Sequence, residues 1–143
     1  MIIIIGASKG LGKALSEVFR DSRLLLVSRT IIKLENKNHQ HLAEDINSID
    51  FSKLEVLLRS EKIEAVFFTA GLIYEKDSFK LNNVEKEKIV NTNFLSIIKL
   101  NEYFLNSGKL EENCLICFCS SVTTFLPRHK QVLYCASKNA LNS

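Results

Sequence analysis

Tyr134 and Lys138 stand four positions apart in the run Tyr134-Cys135-Ala136-Ser137-Lys138. If this run is helical, the two side chains lie on one face, one turn apart. An ammonium beside a phenol stabilises the phenolate and lowers a pKa that starts at about 10. Bringing it down by about three units, toward neutral pH, takes on the order of 4 kcal/mol. A phenol tuned in this way passes a proton to a developing alkoxide. The bare Tyr-x-x-x-Lys pattern also describes an ordinary surface pair, so the chemistry needs support from elsewhere in the chain.

That support begins at the other end. Gly6-Ala7-Ser8-Lys9-Gly10-Leu11-Gly12 follows the apolar run from Met1 to Ile5 and opens a helical pattern from Leu11 to Arg20. Strand, tight turn, helix is the order in which an anion is held: glycines admit a pyrophosphate close to the backbone, and the first free N–H groups of the helix point at it. The spacing is G-x-x-x-G-x-G rather than G-x-G-x-x-G, but the logic is the same. Lys9 is not the lysine of a P-loop, because no Gly-Lys-Ser/Thr end follows.

The elements that must position these residues can be read along the chain. Arg23 to Ser28 suits a buried parallel strand, with Arg29 just past its end. His41 to Ile46 is a weaker strand. Asp50 precedes a helix with Leu54, Leu57 and Leu58 on one face. Glu64 to Thr69 is a strong strand closed by Ala70-Gly71, and Tyr74 to Asn82 reads as a loop with room for one helical turn. From Val84 to Ser107 the spacing of Ile89, Ile97, Leu100 and Phe104 predicts one long helix, ended by Gly108. Asn113 to Cys119 is the fifth strand, Ser120-Ser121 ends it, and the last helix begins at Gln131. Strands alternating with helices predict an α/β fold, a Rossmann-type doubly wound parallel sheet of order 3-2-1-4-5. Ligands in such sheets bind beyond the carboxyl ends of the strands. That rule gathers the glycine loop, Arg29, the turn near Asp50, Ala70-Gly71 and Ser121 at one edge.

At 143 residues the chain is one domain, 1–143, with 46% apolar and 24% charged residues and a net charge of +3. No basic run exceeds two residues, so neither nucleic acid nor a membrane surface is implied as a partner. The N-terminal isoleucines are too few for a signal peptide or a membrane span, which points to a cytoplasmic protein. In a strand, Cys117 and Cys119 share a face and Cys114 points the other way. That arrangement predicts free thiols and no metal site.

The glycine loop, Ala70-Gly71 after the fourth strand, Thr92-Asn93-Phe94-Leu95-Ser96 on the long helix, and Ser121 thirteen positions before Tyr134-x-x-x-Lys138 occur in one order. This arrangement resembles the short-chain dehydrogenase/reductase family over the whole chain. The resemblance implies NAD(H) or NADP(H) as cofactor, with hydride passing between nicotinamide and a carbonyl or alcohol substrate. It implies Tyr134 as general acid/base and Ser121, rather than its neighbour Ser120, as the hydrogen-bond partner of the substrate oxygen. Lys138 would hold the nicotinamide ribose and depress the tyrosine pKa. Asn93, with Asn91 as the alternative register, would help hold a lysine-bound water.

The cofactor-binding set is then Gly6, Ser8, Lys9, Gly10, Leu11, Gly12, Ser28, Arg29, Asp50, Phe51, Ala70 and Gly71, joined by Tyr134 and Lys138. Asp50, beside Phe51, matches the residue that contacts the adenine amino group in relatives; it is also placed to cap the helix that follows, a job for which Ser52 competes. NADP(H) is favoured over NAD(H), because the second strand ends in Val27-Ser28-Arg29-Thr30 without the usual carboxylate. Arg29 can pair with a 2′-phosphate, Ser28 can donate to it, and Lys9 reinforces the positive field. Two positions depart from the family: Ile5 stands where threonine is common, and Phe68-Thr69-Ala70-Gly71 replaces Asn-Asn-Ala-Gly, so the asparagine contacts that steady the neighbouring strand are expected to be missing.

Relatives are often homodimers or homotetramers. A full family domain runs roughly 100 residues further, so the chain is expected to be truncated before strands six and seven, with an unpaired edge on strand five. The alternative to an active oxidoreductase is a weakly active or non-catalytic dinucleotide-binding module.

Overall fold

The computed structural model describes residues 1–34 and 36–142. Five strands, β1 (Ile2–Ile5), β2 (Leu24–Ser28), β3 (His39–Ala43), β4 (Ile63–Phe68) and β5 (Leu110–Phe118), form one parallel sheet in the order β3-β2-β1-β4-β5. The helices are α1 (Gly10–Val18), α2 (Phe51–Leu58), α3 (Asn83–Val90), α4 (Ser96–Asn106) and α5 (Val132–Asn139). The doubly wound fold and its strand order are thus those the alternation of elements implies.

β1 and β2 are buried along their whole length, as strands covered on both faces must be. Their side chains alternate between two cores. Ile3, Ile5, Leu25, Val27, Val66 and Phe68 pack with Leu54 and Leu58 of α2 and with Ile97, Leu100 and Phe104 of α4. Ile2, Ile4, Leu24, Leu26, Ala65 and Phe67 face the other way, onto Leu15 of α1 and Phe19 just past its end. Rings close both layers: Phe68 stacks on Phe118 at 5.1 Å, and Phe19 on Phe67 at 5.6 Å.

Three elements differ in detail from the sequence expectation. β3 begins two residues earlier, at His39, and stops at Ala43, because its register is fixed by pairing with β2, His39 opposite Leu24 through Ala43 opposite Ser28. The Asp45 side chain then accepts from the Asn47 N–H and starts a 3₁₀ turn, Ile46–Ser48. β5 begins at Leu110, three residues earlier than expected, and its register slips between Ile63 opposite Leu110 and Ala65 opposite Leu115. The exposed Glu111, Glu112 and Asn113 occupy the slip. The helix predicted over 84–107 is α3 and α4 joined by a π turn at Asn91–Leu95. It starts with a capping box between Asn82 and Glu85.

Candidate active site

The mouth of the site is built by the turn between β1 and α1. Gly6 has φ +96°, and a Cβ there would sit 2.6 Å from the Ala70 nitrogen. A Cβ on Gly12 would meet the Gly6 carbonyl oxygen at 2.4 Å and the Thr69 hydroxyl at 2.6 Å. The two glycines therefore let α1 and the end of β4 close onto the β1 turn. Gly12 is buried in that packing and does not line the cavity, so its role is support rather than the direct cofactor contact expected of it. No side chain caps α1 at Lys9, which leaves the first N–H groups of the helix free to meet an anion.

The cavity in front of this turn has a volume of about 310 Å³. Gly6, Ser8, Lys9, Gly10 and Leu11 form one wall, and Ser28 and Arg29 at the end of β2 form a second. Glu44, Asp45 and Ile46 close a third side, and Thr69, Ala70, Gly71 and Leu72 a fourth. It lies beyond the carboxyl ends of the strands, where a doubly wound sheet takes its ligand.

Asp50 and Phe51 are not part of it. Asp50 is the N-cap of α2, where its carboxylate accepts from the Ser52 N–H and hydroxyl; those bonds hold its pKa below the usual carboxylate range. Phe51 packs on Tyr103 with ring centroids 4.7 Å apart and planes tilted by 32°, under the Lys99 ammonium. Two acids that sequence reasoning passed over, Glu44 and Asp45, line the cavity instead, and Asp45 is the one paired with Arg29. Its carboxylate lies 3.8 Å from the Arg29 guanidinium. Glu44, beside it, accepts from the Asp50 N–H and the Lys53 ammonium, and these bonds depress its pKa.

Thr69 replaces the missing asparagine contacts. Its hydroxyl donates to the Ile5 carbonyl at 2.8 Å, tying the end of β4 to the end of β1. The expected loss of a tie between these strands is therefore corrected: a shorter side chain makes one. Ser28 does not behave as a phosphate donor in this structure. Its hydroxyl hydrogen goes to the Thr30 carbonyl at 2.7 Å.

The remaining residues divide: Lys138 and Asn93 meet at Gly71, on the wall of this cavity, whereas Ser121 lines a separate surface depression with Ser120, Val122 and Phe125. Lys138 is 3% exposed, and its ammonium donates to the Cys119 carbonyl at 2.8 Å. Burial pushes its pKa below the ordinary lysine value, with the nearby Cys119 acting weakly the other way. A Cβ added to Gly71 would lie 3.4 Å from the Lys138 Nζ and 3.7 Å from the Asn93 Oδ1, so Gly71 is the point at which α5, the π turn and the end of β4 come together. Asn93 is fully buried, whereas Asn91 is exposed. The Asn93 carboxamide accepts from the Leu72 N–H at 2.6 Å, donates to the Leu72 carbonyl at 2.8 Å, and donates to the Ser137 hydroxyl at 3.1 Å. It clamps the segment that leaves Gly71 against α5, with both amide hydrogens spent.

Tyr134 is half-buried one turn before Lys138 on α5, and its phenol makes no hydrogen bond among the described residues. Ser121 caps the 3₁₀ turn Val122–Thr124. Its oxygen accepts from the Thr123 N–H and from the buried Thr123 hydroxyl at 2.9 Å. The Ser121 hydrogen makes no bond among the described residues, and Thr123, which sequence reasoning did not single out, holds the oxygen in place. Ser120 turns its hydroxyl inward, where it finds no partner among the described residues.

Replacing Asn93 with alanine strands the Leu72 N–H, the Leu72 carbonyl and one lone pair of Ser137. At about 1–3 kcal/mol for a buried group left unpaired, Asn93→Ala is expected to lower stability by at least about 2 kcal/mol, read from the urea midpoint at unchanged m-value.

Among the described residues no group of His, Cys, Asp or Glu is placed to hold a metal ion, and Cys114, Cys117, Cys119 and Cys135 are free thiols. No helix of the described residues is long and apolar enough to cross a membrane.

A family model described as short chain dehydrogenase matches residues 1–143. A Drosophila melanogaster protein named dehydrogenase/reductase SDR family protein 7-like is 26% identical over 161 residues, covering 100% of this chain and 49% of that protein. The chain thus spans about half the length of this relative. Among solved structures, a short chain dehydrogenase family protein from Francisella tularensis superposes with a TM-score of 0.87 at 19% identity, over 98% of this chain and 58% of that one. A carbonyl reductase from Pseudomonas aeruginosa in complex with NADP superposes with a TM-score of 0.83 at 23% identity, over 99% and 71%. At these identities the two structures speak for the fold.

Proposed function

The chain belongs to the short-chain dehydrogenase family, and from that membership we propose that it forms the cofactor-binding and proton-transfer part of an NADP(H)-dependent oxidoreductase acting on a small carbonyl or alcohol. The observation that carries this reading is the meeting of the Lys138 ammonium and the Asn93 amide at Gly71, on the inner wall of a cavity whose mouth is the glycine turn. A dinucleotide fits the residues present: an uncapped helix start and Lys9 for the pyrophosphate, Arg29 for a 2′-phosphate, and a buried ammonium for the ribose at the far end.

When bound, the nicotinamide supplies or accepts a hydride. Tyr134 passes the proton at its phenolic oxygen to or from the substrate oxygen. Ser121, oriented by Thr123, donates its free hydrogen to the same oxygen as charge develops there. Lys138, held by the Cys119 carbonyl, fixes the ribose and keeps a positive charge one helical turn from the phenol.

The test is carbonyl-dependent NADPH oxidation together with direct titration of NADPH fluorescence. Binding with turnover supports the oxidoreductase. Binding without turnover leaves a dinucleotide-binding module, and absence of binding removes both readings.

The preference for NADP(H) has its own test. Arg29 is 63% exposed at its side chain and has a carboxylate no closer than 3.8 Å, so a phosphate can take its bidentate face. Arg29→Asp is expected to weaken NADPH by about 10–100-fold, the worth of a charge-assisted hydrogen bond. NADH should change little or tighten. Equal effects on the two dinucleotides would remove Arg29 from the phosphate site.

A further inference from the structure

Beneath the turn that carries Arg29, the buried Ser28 meets a histidine from the neighbouring strand. His41 pairs with Leu26 across β2 and β3, so its side chain rises on the face that also carries Ser28. Ser28 is 6% exposed. Its one hydrogen is given to the Thr30 carbonyl, and its oxygen lies 3.0 Å from the His41 Nε2. With the serine hydrogen spent, the contact requires a hydrogen on Nε2. The other ring nitrogen, Nδ1, is then an acceptor, and the Ile32 N–H is directed to it at 3.5 Å. One neutral tautomer satisfies both contacts. Burial holds the His41 pKa below its ordinary value, against a smaller opposing effect of the Ser28 backbone.

These bonds tie both ends of one short segment. Thr30 is fixed through Ser28, and Ile32 through His41, while Arg29, between β2 and Thr30, has an exposed side chain whose one ion pair among the described residues is with Asp45. The direction in which Arg29 leaves the backbone is thus set from beneath the turn. We propose that His41 is a positioning residue that determines selectivity for a dinucleotide carrying a 2′-phosphate, acting through Ser28 and the Thr30 turn on Arg29. The proposal rests on the NADP(H) reading above. It assigns Ser28 a structural part in phosphate recognition in place of a direct contact.

The experiment is fluorescence titration of NADPH and NADH on the wild-type chain and on His41→Leu and His41→Gln, with thermal melting of each. Glutamine carries an amide hydrogen near the position of Nε2–H and is expected to keep both affinities within about threefold of wild type. Leucine removes both bonds and is expected to weaken NADPH by about tenfold or more, the worth of one hydrogen bond, with NADH within about twofold. If His41→Leu does not fold, His41→Asn is read instead, because its amide reaches the Nδ1 position and not Ser28; it is expected to weaken NADPH selectively by about fivefold. Parallel losses for both dinucleotides, or an unchanged NADPH affinity in a folded variant, overturn the positioning role while leaving Arg29 in place. Equal wild-type affinity for NADPH and NADH overturns the phosphate reading itself, and this proposal with it.

Discussion

Tyr134→Phe is expected to leave NADPH binding within about twofold and to cut carbonyl-dependent NADPH oxidation by about 10²–10⁴-fold, the usual worth of a positioned general acid. The contrast follows from how α5 is held. Cys135, Ser137 and Lys138 are its buried residues. Ser137 accepts from Asn93, and Lys138 donates to the Cys119 carbonyl. None of these contacts involves the phenol, so losing one oxygen from a half-buried ring leaves the helix and its lysine where they are. What disappears is the proton donor alone. The comparison is kcat/KM beside a directly measured Kd for each protein. A variant that binds as before and still turns over at the wild-type rate would take Tyr134 out of the chemistry.

The largest structural effect is expected at Gly12. Its missing Cβ would sit 2.4 Å from the Gly6 carbonyl oxygen and 2.6 Å from the Thr69 hydroxyl. Neither atom can give way easily. Gly6 is part of the strained turn, and the Thr69 hydroxyl is anchored to the Ile5 carbonyl. Gly12→Ala must therefore lift α1 off the sheet, uncovering Leu15 and with it the layer formed by Ile2, Ile4 and Phe67. Overpacking of this kind costs about 1–3 kcal/mol. Repositioning the turn adds to that, so a fall in Tm of about 10 °C is expected for a domain of this size, together with loss of NADPH binding. Gly10 supplies the control, because a Cβ there meets nothing within 4 Å. With φ +55° it still carries the penalty of a left-handed residue, about 1 kcal/mol, and Gly10→Ala should melt well above Gly12→Ala. Similar melting of the two variants would mean that helix and turn are not packed as tightly as the geometry says.

The sheet was legible because β1, β2 and β4 announce themselves. β1 is apolar throughout, β2 up to its closing Ser28, and β4 apart from the exposed Glu64, a density of apolar residues that marks strands covered on both faces. β3 is different. His39-Gln40-His41-Leu42-Ala43 has no such pattern, and its limits come from the partner strand, which a linear reading does not see. β5 hides its beginning in the same way, since Glu111, Glu112 and Asn113 lie where the register slips and read as loop. At the site, the spacing of Ser121, Tyr134 and Lys138 carried the expectation.

Asn93 could have been found without any resemblance. It falls four residues after Ile89 and four before Ile97, a polar side chain inside an apolar stripe, and such a residue needs buried partners. Asp45 and Asp50 were harder to separate. Each opens a helical turn, and only the point at which β3 stops decides which one faces the cavity. Ser28 looked like a donor because its type allows it; its hydrogen was already committed to a carbonyl two residues on. His41 had no signal at all, because its importance exists only across the β2–β3 pair.

The π turn at Asn91–Leu95 has a consequence for how the segment from Asn83 to Asn106 meets the rest of the molecule. Eight residues of regular α-helix separate Ile89 from Ile97 by about 80° of rotation beyond two full turns. One extra residue absorbed in the wide turn takes back about 100°, which brings the two isoleucines to within about 20° of each other. Both are buried. The widening therefore works as a phase correction that aligns the seams of two helical halves. Deleting a single residue between Asn91 and Leu95 would let the wide turn revert to regular α-helix with that alignment kept. Losing the bulge while keeping every residue would instead set the two seams out of step. A length change at this point is thus tolerated by the core in one direction only, and Asn93 is the side chain whose aim would record it.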